Sequence, residues 1–305
     1  MLSVVSNFRS GISGSTETAK SLAWLWGAAL LGFLALTPRG TAQTTEIPQN
    51  PSPAASPKAG TARTLELDQG VVLDLVWIPA GNFLMGSPFE EDGRFITEGR
   101  RHPVTLTQGF WMGKHPVTQD QWQRLMGDNP SHVKAGRLPV DQVNWDDCQK
   151  FVRALNRMVE TDHLTASLPT EAQWEYACRG GSQTRFWSGE SAADLARVAW
   201  LALNSGDKPH EVGQKPPNPW GLCDMHGNVW QWCQDWHGSY PRDAVTDPRG
   251  PDTGSERVLR GGSWSSDPDV CRAAYRFSYP PAYRLMTAGL RVIVTTALSA
   301  SSVSP

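Results

Sequence analysis

Tryptophan is the residue type that most constrains how this chain can fold. Fourteen tryptophans occur in 305 residues, and twelve of them lie beyond residue 76. Each indole ring buries a large area on folding, so a core built from such rings is stable without long regular elements. Hydrophobic residues make up 39% of the chain, which is enough for a buried core. The composition therefore predicts a folded α+β domain that is rich in loops.

The first 42 residues have the pattern of a signal peptide. Arg9 and Lys20 precede an uncharged apolar run at 21–36, and small residues at 40–42 suit cleavage. The run has about 16 residues, fewer than the roughly 20 that cross a bilayer as a helix. An uncleaved anchor is the alternative. In either case we expect an exported protein, periplasmic or extracellular, that meets a membrane only through this N-terminal segment.

A linker is expected next, at residues 43–63, because this segment is rich in Pro, Ser and Ala and cannot pack a core. The folded domain is expected at 64–297, followed by a disordered tail at 298–305. The formal net charge is −2 and the charges are mixed in sign, so the chain has no basic stripe. Nucleic acid is therefore not an expected partner.

Strand patterns open and close the expected domain. The apolar stretch at 71–85, interrupted by Pro79 and Gly81, predicts an antiparallel hairpin, and 104–112 predicts a further strand. Shorter strand-like pieces follow at 257–259, 272–277 and 290–294.

Three helices have clear start signals between these strands. Thr118 and Thr170 each begin a capping box, and Asn144 precedes acidic residues and an apolar stripe at helical spacing that includes Cys148. Glu171 and Glu175 lie in the third helix, where acids near the N-terminus favour the helix dipole, so we interpret them as structural. No regular pattern is visible at 185–219, which predicts an irregular region.

Six motifs occur in order between about residues 72 and 295. They are Trp77-Ile78-Pro79-Ala80-Gly81 with Met85-Gly86, His115-Pro116-Val117-Thr118, Leu168-Pro169-Thr170-Glu171-Ala172-Gln173-Trp174-Glu175, Gly227-Asn228-Val229-Trp230-Gln231-Trp232, Arg260-Gly261-Gly262-Ser263-Trp264 and Gly289-Leu290-Arg291. The ordered set resembles the formylglycine-generating enzyme, or sulfatase-modifying factor, family.

The resemblance implies a C-type-lectin-like fold, with small twisted antiparallel sheets, a few helices and much irregular chain. The family includes enzymes that oxidise a sulfatase cysteine to formylglycine, the lectin-like half of ergothioneine-pathway sulfoxide synthases, and pyoverdine-maturation proteins. It also includes the variable proteins of diversity-generating retroelements. Membership therefore leaves the function open.

The family's catalytic cysteine pair is not present in this sequence. The enzymes have one Cys three residues after the Ser of the Gly-Gly-Ser motif and a second Cys five residues later, and the two thiolates serve copper and substrate. The corresponding positions here are Ser266 and Cys271. Because one Cys cannot replace two, copper is not an expected cofactor, and the resemblance leaves open whether the chain is an enzyme.

Cys271 has a second interpretation, because the residues after it look like those that follow a structural Cys of the family. The family bonds that Cys to the one in its Trp-Glu-Tyr-x-Cys motif, so the resemblance implies a Cys178–Cys271 disulfide. Pairing between Cys223 and Cys233 stays open, and Cys148 is expected to be a buried small hydrophobic residue.

The resemblance also implies a calcium site near the Gly-Asn-x-Trp motif. The matching positions are Asp224, Gly227, Val229 and Gln231. Oxygen ligands suit calcium, but Gln231 stands where family enzymes have Glu, so one formal charge is missing and a weaker site is expected.

A binding groove is expected near the Gly-Gly-Ser motif, where aromatic residues and loop formers are concentrated. Its predicted residues are Trp230, Ser263, Trp264, Ser265, Tyr275, Tyr279 and Tyr283. Tyr and Ser provide adaptable contacts at low entropic cost. The first hypothesis is therefore a recognition module for a peptide, protein or glycan.

Two alternatives remain open beside this hypothesis. One is a formylglycine-generating type of oxidoreductase that acts on a protein side chain with a changed site. The other is a variable binding protein of a diversity-generating retroelement, in which the C-terminal segment is diversified. A scaffold for an envelope complex is a third, less specific option.

Overall fold

A computed structural model describes residues 56–296 of the chain. Its strands are β1 (Ala62–Glu66), β2 (Val72–Ile78), β3 (Gly81–Met85), β4 (His102–Leu106), β5 (Phe110–Gly113), β6 (Leu164–Ser167), β7 (Trp230–Trp236), β8 (Val245–Thr246), β9 (Arg257–Arg260), β10 (Phe277–Tyr279), β11 (Ala288–Leu290) and β12 (Ile293–Thr296). Its α-helices are α1 (Gln119–Met126), α2 (Trp145–Val159), α3 (Glu171–Arg179) and α4 (Ala192–Val198). The predicted signal peptide and C-terminal tail lie outside the described residues.

The largest sheet has five strands in the order β1-β2-β5-β12-β6, and every neighbouring pair is antiparallel. Both faces of this sheet are covered, which explains why β2 is apolar at nearly every position. Leu73 and Leu75 pack in the cluster that contains α2, whereas Val76 and Ile78 pack in the cluster that contains α3. Alternate side chains of a strand point to opposite faces, so one strand serves both cores.

Two smaller sheets carry the rest of the strands. One has the order β10-β9-β7-β11 and the other has the order β3-β4-β8. Most pairs are antiparallel, but β11 pairs with β7 and β8 pairs with β4 in parallel. The expected architecture of small sheets, few helices and much irregular chain is confirmed.

The predicted hairpin at 71–85 is wrong in its pairing. Both strands exist, but β2 pairs with β1 and β5 in the large sheet, whereas β3 pairs with β4 in the small one. Pro79 and Ala80 separate the two strands, and the chain changes sheets there instead of turning back. The strand predicted at 104–112 is two strands, β4 and β5, and 272–277 is mostly irregular before β10.

The helix starts are confirmed. Thr118, Asn144 and Thr170 each accept a hydrogen bond from the backbone N–H three residues later, and each cap is reciprocated by the third helical side chain. Helix α4 lies within 185–219, so the prediction of an irregular region there is wrong at that point.

The first strand begins slightly before the start that was predicted for the folded domain. Strand β1 begins at Ala62, two residues inside the predicted linker, and Gly60 already donates its N–H to the Trp77 carbonyl at 3.0 Å. Among residues 56–296, no helix combines the length and the apolarity needed to cross a membrane.

Candidate functional site

Helix α3 anchors the C-terminal segment through a buried cluster of charges. We call Glu171, Glu175, Arg179, Arg260 and Arg276 the α3 ion cluster. Arg276 binds both oxygens of Glu171, at 2.6 and 2.7 Å, while Glu175 binds Arg260 and, at 2.8 Å, Arg179. Because these side chains are buried, each charge depends on its partner. The structural interpretation of Glu171 and Glu175 agrees with these contacts.

Another buried arginine, Arg272, holds the segment after β3 in place. Arg272 donates to both oxygens of Glu98, to Glu91 at 2.6 Å and to the carbonyl of Gly93 at 2.7 Å. Arg272 and Glu98 are both completely buried. The segment at 91–98 is therefore fixed against the region that follows Cys271.

Six aromatic rings form a continuous chain of contacts across these two segments, which we call the aromatic strip. Its members in contact order are Phe95, Tyr275, Trp230, Phe277, Tyr279 and Tyr283, with ring centroids 5.0, 5.9, 5.1, 5.9 and 5.2 Å apart. Adjacent rings are tilted or edge-on to each other, which is the arrangement that aromatic pairs prefer. The strip therefore joins residues from three separate parts of the chain.

Exposure differs strongly along the strip. Trp230 is buried at its centre, whereas Phe95 is 44% exposed and Tyr283 is 56% exposed at the two ends. Tyr275 and Tyr279 are partly buried. The strip thus has a fixed centre and accessible ends.

The structure brings together four of the seven predicted groove residues, namely Trp230, Tyr275, Tyr279 and Tyr283. Phe95 was not predicted, because it lies in a segment with no periodicity and reaches Tyr275 only through the tertiary fold. Phe277 lies between Tyr275 and Tyr279, in the C-terminal segment whose aromatic residues were expected to line the groove.

The other three predicted groove residues lie on the Gly-Gly-Ser turn. Ser263 is buried, Trp264 is partly buried and Ser265 is exposed. The backbone of Trp264 accepts from Ser205 Oγ at 2.7 Å and donates to the Asn228 carbonyl at 2.8 Å. Within residues 56–296, Trp264 makes no ring contact with the strip, so these residues form a neighbouring turn.

Ser266, which was predicted to stand at the first catalytic position of the family, has a structural role in this turn. Its Oγ accepts the N–H of Ser263 at 3.0 Å and lies 3.0 Å from the Ser263 hydroxyl. Its side chain is 8% exposed. Ser266 therefore closes the turn with hydrogen bonds.

The implied Cys178–Cys271 disulfide is not formed. All five cysteines are free and buried, and this includes Cys223 and Cys233. His226 lies against Cys178, with ring nitrogens 3.8 and 3.9 Å from the sulfur, and its Nδ1 is 2.7 Å from the Cys271 carbonyl. Hydrogen bonds and packing through this imidazole thus connect the two segments where a covalent bond was expected.

The environment of these thiols opposes ionisation. Cys271 is completely buried, and burial raises its pKa to about 12, as it does for Cys178. Burial also lowers the pKa of His226 to about 4. Nε2 of His226 accepts the N–H of Trp187 at 3.2 Å, so the proton of the neutral ring lies on Nδ1. This N–H donates to the backbone carbonyl of Cys271. Neither sulfur is a thiolate at neutral pH.

The Arg291 guanidinium binds the two ends of the predicted calcium motif, residues 224–231, which we call the 224–231 loop. Its guanidinium donates to Gln231 Oε1 at 2.9 Å and to the carbonyls of Gly113, Cys223 and Asp224 at 2.6, 2.7 and 3.1 Å. Trp174 Nε1 also donates to Gln231 Oε1, at 2.8 Å, and Gln231 Nε2 donates to the Asp224 carbonyl at 2.8 Å.

Gln231 does not fit the role of a calcium ligand. Its oxygen already accepts from two donors, and its amide nitrogen is the atom that faces the Asp224 carbonyl. The Asp224 carboxylate accepts the N–H of Gly213 at 2.7 Å, and burial raises its pKa. Within the described residues no cluster of three or more His, Cys, Asp or Glu side chains has a metal-binding arrangement.

Gly227 has a structural explanation in the same loop. Its φ is +71°, and a Cβ atom there would lie 2.1 Å from the Trp200 carbonyl oxygen. Its N–H donates to the Gly261 carbonyl at 2.7 Å, which ties the loop to the Gly-Gly-Ser turn. A close approach of two backbones therefore requires glycine at this position.

A cavity of about 870 Å³ lies elsewhere, and its lining includes Gln149, Asn156, Gln234 and Asp247. The predicted groove, catalytic and calcium residues are not part of its lining. The candidate site is therefore the surface of the aromatic strip and not this cavity.

Comparison with known proteins places these features in a family. A family model described as a sulfatase-modifying factor enzyme 1-like domain matches residues 62–296. A chaperone protein LppX of Paenibacillus barcinonensis is 31% identical over 253 residues, covering 67% of this chain and 87% of that protein. A formylglycine-generating enzyme of Streptomyces coelicolor is 33% identical over 177 residues, covering 52% of this chain and 54% of that enzyme.

Among solved structures, a Treponema denticola variable protein 1 is similar with a TM-score of 0.70 and 30% identity, covering 76% of this chain and 98% of that one. The chain therefore shares its fold with this variable protein and spans only about half the length of the formylglycine-generating enzyme. The ordered motifs, the small curled sheets and the family match over 62–296 agree, and the chain belongs to the sulfatase-modifying factor enzyme 1-like domain family.

Proposed function

We propose that this chain is an exported recognition module that binds a peptide or protein segment through the aromatic strip. The observation that carries the proposal is the continuous contact of six rings, with a buried Trp230 at the centre and exposed rings at both ends. Tyr and Trp provide large, rigid contact area at low conformational cost, and they dominate the surfaces that bind proteins.

The rigidity of the strip supports this proposal. Arg272 holds the segment that contains Phe95. Arg276, which stands between Tyr275 and Phe277 in the sequence, binds Glu171. A surface whose side chains are already ordered loses less entropy on binding. The ring planes also differ in direction, as in the 89° angle between Phe95 and Tyr275, so they present edges and faces to an irregular partner. A flat row for stacking sugars would need rings with a common orientation, so a peptide is favoured over a glycan.

The test is binding by the intact protein and by two matched variants. Peptides selected from a random displayed library on the wild type would be titrated against Tyr283→Ala and against Leu203→Ala. Tyr283 is 56% exposed at one end of the strip, and Leu203 is 66% exposed but is not a member of the strip. We expect affinity to fall by about tenfold or more in Tyr283→Ala only, as for an aromatic residue that contacts the ligand directly. Equal affinity for all three proteins, or selection of no peptide while an oligosaccharide binds, would reject the peptide proposal.

An oxidase of the formylglycine-generating type is the alternative, and the similarity to the Streptomyces coelicolor enzyme supports it. Ser266 and the buried Cys271, whose thiol has a raised pKa, argue against that chemistry. Incubation with a sulfatase-motif peptide, copper and oxygen, followed by mass spectrometry, separates the two. Any conversion of the peptide cysteine would favour the oxidase.

A diversified binder is a special form of the recognition module, and the similarity to Treponema denticola variable protein 1 supports it. Tyr275, Tyr279 and Tyr283 lie in the C-terminal segment, where diversification would act on the strip. The test is a search of the source genome for a near-copy of the DNA encoding residues 260–295, beside a reverse-transcriptase gene and differing at adenines. Absence of such a copy would remove this form and leave the recognition module.

A further inference from the structure

The 224–231 loop is held by hydrogen bonds at the place where the resemblance implies a metal. We propose that Arg291 and the side-chain amide of Gln231 take the place of a calcium ion in this loop, so that the chain folds and stays folded without calcium. The inference concerns the framework of the fold and does not depend on what the aromatic strip binds.

The orientation of the Gln231 amide is determined by its neighbours. Trp174 Nε1 and Arg291 Nε lie 2.8 and 2.9 Å from one end of the amide, and both groups can only donate. That end must therefore be the oxygen. The nitrogen then lies at the other end, 2.8 Å from the Asp224 carbonyl. A calcium ligand at this position would need an oxygen there, since an N–H group repels a cation.

The guanidinium of Arg291 uses four neutral oxygens at once. It links Gln231 on β7, Gly113 at the end of β5, and the carbonyls of Cys223 and Asp224. Two of these partners, Asp224 and Gln231, are among the implied calcium ligands. The planar guanidinium binds them and the other two residues with directed N–H bonds, which fit carbonyl oxygens well.

The charges of the loop are balanced without a dication. Asp224 contributes one buried carboxylate and Arg291 one buried guanidinium, while Gln231 is neutral. Addition of Ca²⁺ would leave two positive charges without compensation in a buried site, and such burial is strongly unfavourable. Gln231→Glu would change both the charge balance and the hydrogen bond to Asp224. The carboxylate adds a negative charge and turns an oxygen toward the Asp224 carbonyl.

Thermal unfolding of the full-length protein tests the proposal. The midpoint would be measured in excess EDTA, in millimolar CaCl₂ and in millimolar MgCl₂. A ligand that binds only the folded state raises the midpoint. We expect the three midpoints of the wild type to agree to within about 1 °C, since a contribution of about 1 kcal/mol would shift them by roughly 2–4 °C. A lower midpoint in EDTA that calcium but not magnesium restores would overturn the proposal.

The variant Gln231→Glu provides the converse test, with Gln108→Glu on an exposed surface as the matched control. In EDTA the Gln231→Glu variant should melt several degrees below the wild type, because two oxygens face each other, and calcium should reverse part of that loss. The control should respond to neither. A Gln231→Glu variant that calcium does not stabilise would show that the amide does not stand in the place of a cation.

Terbium luminescence of the wild type decides the question even if that variant does not fold. Trp174, Trp230 and Trp232 lie in or beside the loop and would sensitise a lanthanide bound there. We expect no sensitised emission that calcium can compete away at micromolar terbium. Sensitised emission that calcium displaces in the wild type, and that disappears in Asp224→Asn, would overturn the proposal. Its loss in that variant separates binding in the loop from binding at surface sites.

Discussion

Two buried arginines of this domain, Arg276 and Arg291, have their charge stabilised by different kinds of hydrogen-bond acceptor. Arg276 forms two hydrogen bonds to the carboxylate of Glu171, and although burial acts to lower its pKa, Glu171 and Tyr240 raise it above the ordinary value. Arg291 donates only to neutral oxygens, and burial lowers its pKa to about 10, with Asp224 opposing this from a distance. A buried cation can thus be held by an opposite charge or by convergent carbonyls.

The two arrangements predict different responses to amino-acid substitution. The α3 ion cluster loses a partner when one member is replaced, whereas the site around Arg291 consists mostly of backbone and tolerates change except at Arg291 and Gln231. The α3 ion cluster positions the C-terminal segment with the aromatic strip, and Arg291 positions the 224–231 loop, which contains Trp230. Substitutions in the two regions test this contrast.

The largest effect is expected for Glu175→Gln. The substitution keeps the shape but leaves Arg260 and Arg179 with a neutral partner in a buried site. We expect a loss of about 3–5 kcal/mol in the free energy of unfolding, measured by urea denaturation. The exposed pair of Glu211 with Arg137 gives the control, since Glu211→Gln should cost only about 0–1 kcal/mol. Equal costs for the two variants would contradict the importance of burial.

Arg291→Met comes next. It removes the Arg291 donor from the carbonyls of Gly113 and Cys223, whereas the Asp224 carbonyl keeps the Gln231 amide as a donor. It also removes the charge that balances the Asp224 carboxylate. Unsatisfied buried groups cost about 1–3 kcal/mol each, so a total loss of about 3 kcal/mol is expected after partial relaxation. The same urea titration measures it. A cost below about 1 kcal/mol would mean that the carbonyls do not depend on Arg291.

A pH-dependent effect is expected for Asp235, which lies beside the α3 ion cluster. Burial first, and the nearby Glu171 second, raise its pKa to about 7. A carboxyl group whose pKa is raised by folding contributes stability to the folded state. That stability is fully present below the unfolded pKa of 3.8 and is lost as the pH rises through about 7.

Asp235→Asn tests this sign, since the amide oxygen can still accept the Glu171 N–H. Since part of the contribution is already lost at pH 5, the stability advantage of the variant over the wild type should grow by roughly 2–3 kcal/mol between pH 5 and pH 8. His115 and His226, whose pKa values burial lowers to about 4, titrate equally in both proteins and cancel in the comparison. A stability difference that does not vary with pH would refute the raised pKa.

The smallest effect is expected for Cys178→Ala. With free thiols the substitution removes one buried sulfur and should cost about 1 kcal/mol. Loss of a disulfide that closes so long a loop would instead cost about 4–5 kcal/mol. Chemical unfolding measures the difference, and alkylation after denaturation counts the free thiols. A cost near the higher value, with two thiols missing from the count, would show that the Cys178–Cys271 disulfide exists in the protein.

Local signals in the sequence predicted the helices well. Thr118, Asn144 and Thr170 begin helices because a cap needs only the three or four residues that follow it. The pairing of β2 was predicted wrongly, because its partners β1 and β5 are chosen by burial on both faces of the sheet and not by the nearest strand. Helix α4 was missed among Gly- and Pro-rich segments even though Ser191 caps it.

The candidate site was predicted in part for a similar reason. Aromatic residues concentrated near Tyr275 pointed to a binding surface, but Phe95 joins it only because Arg272 brings a distant segment alongside. The expectation of a weaker calcium site rests on Gln231 alone and stays a prediction. The position of the Arg291 guanidinium beside Gln231 could not be expected from the sequence, since 60 positions separate the two residues.

The sequence alone was sufficient to identify the family, three of the helix caps and the heavy aromatic load. These are properties of single residues or of short segments, so they need no knowledge of distant contacts. Only the tertiary structure decided which strands pair, that Cys178 and Cys271 flank His226 as free thiols, and that Arg291 binds the two ends of the 224–231 loop. Each of these depends on residues far apart in the chain, and their distances are set only when the whole core packs.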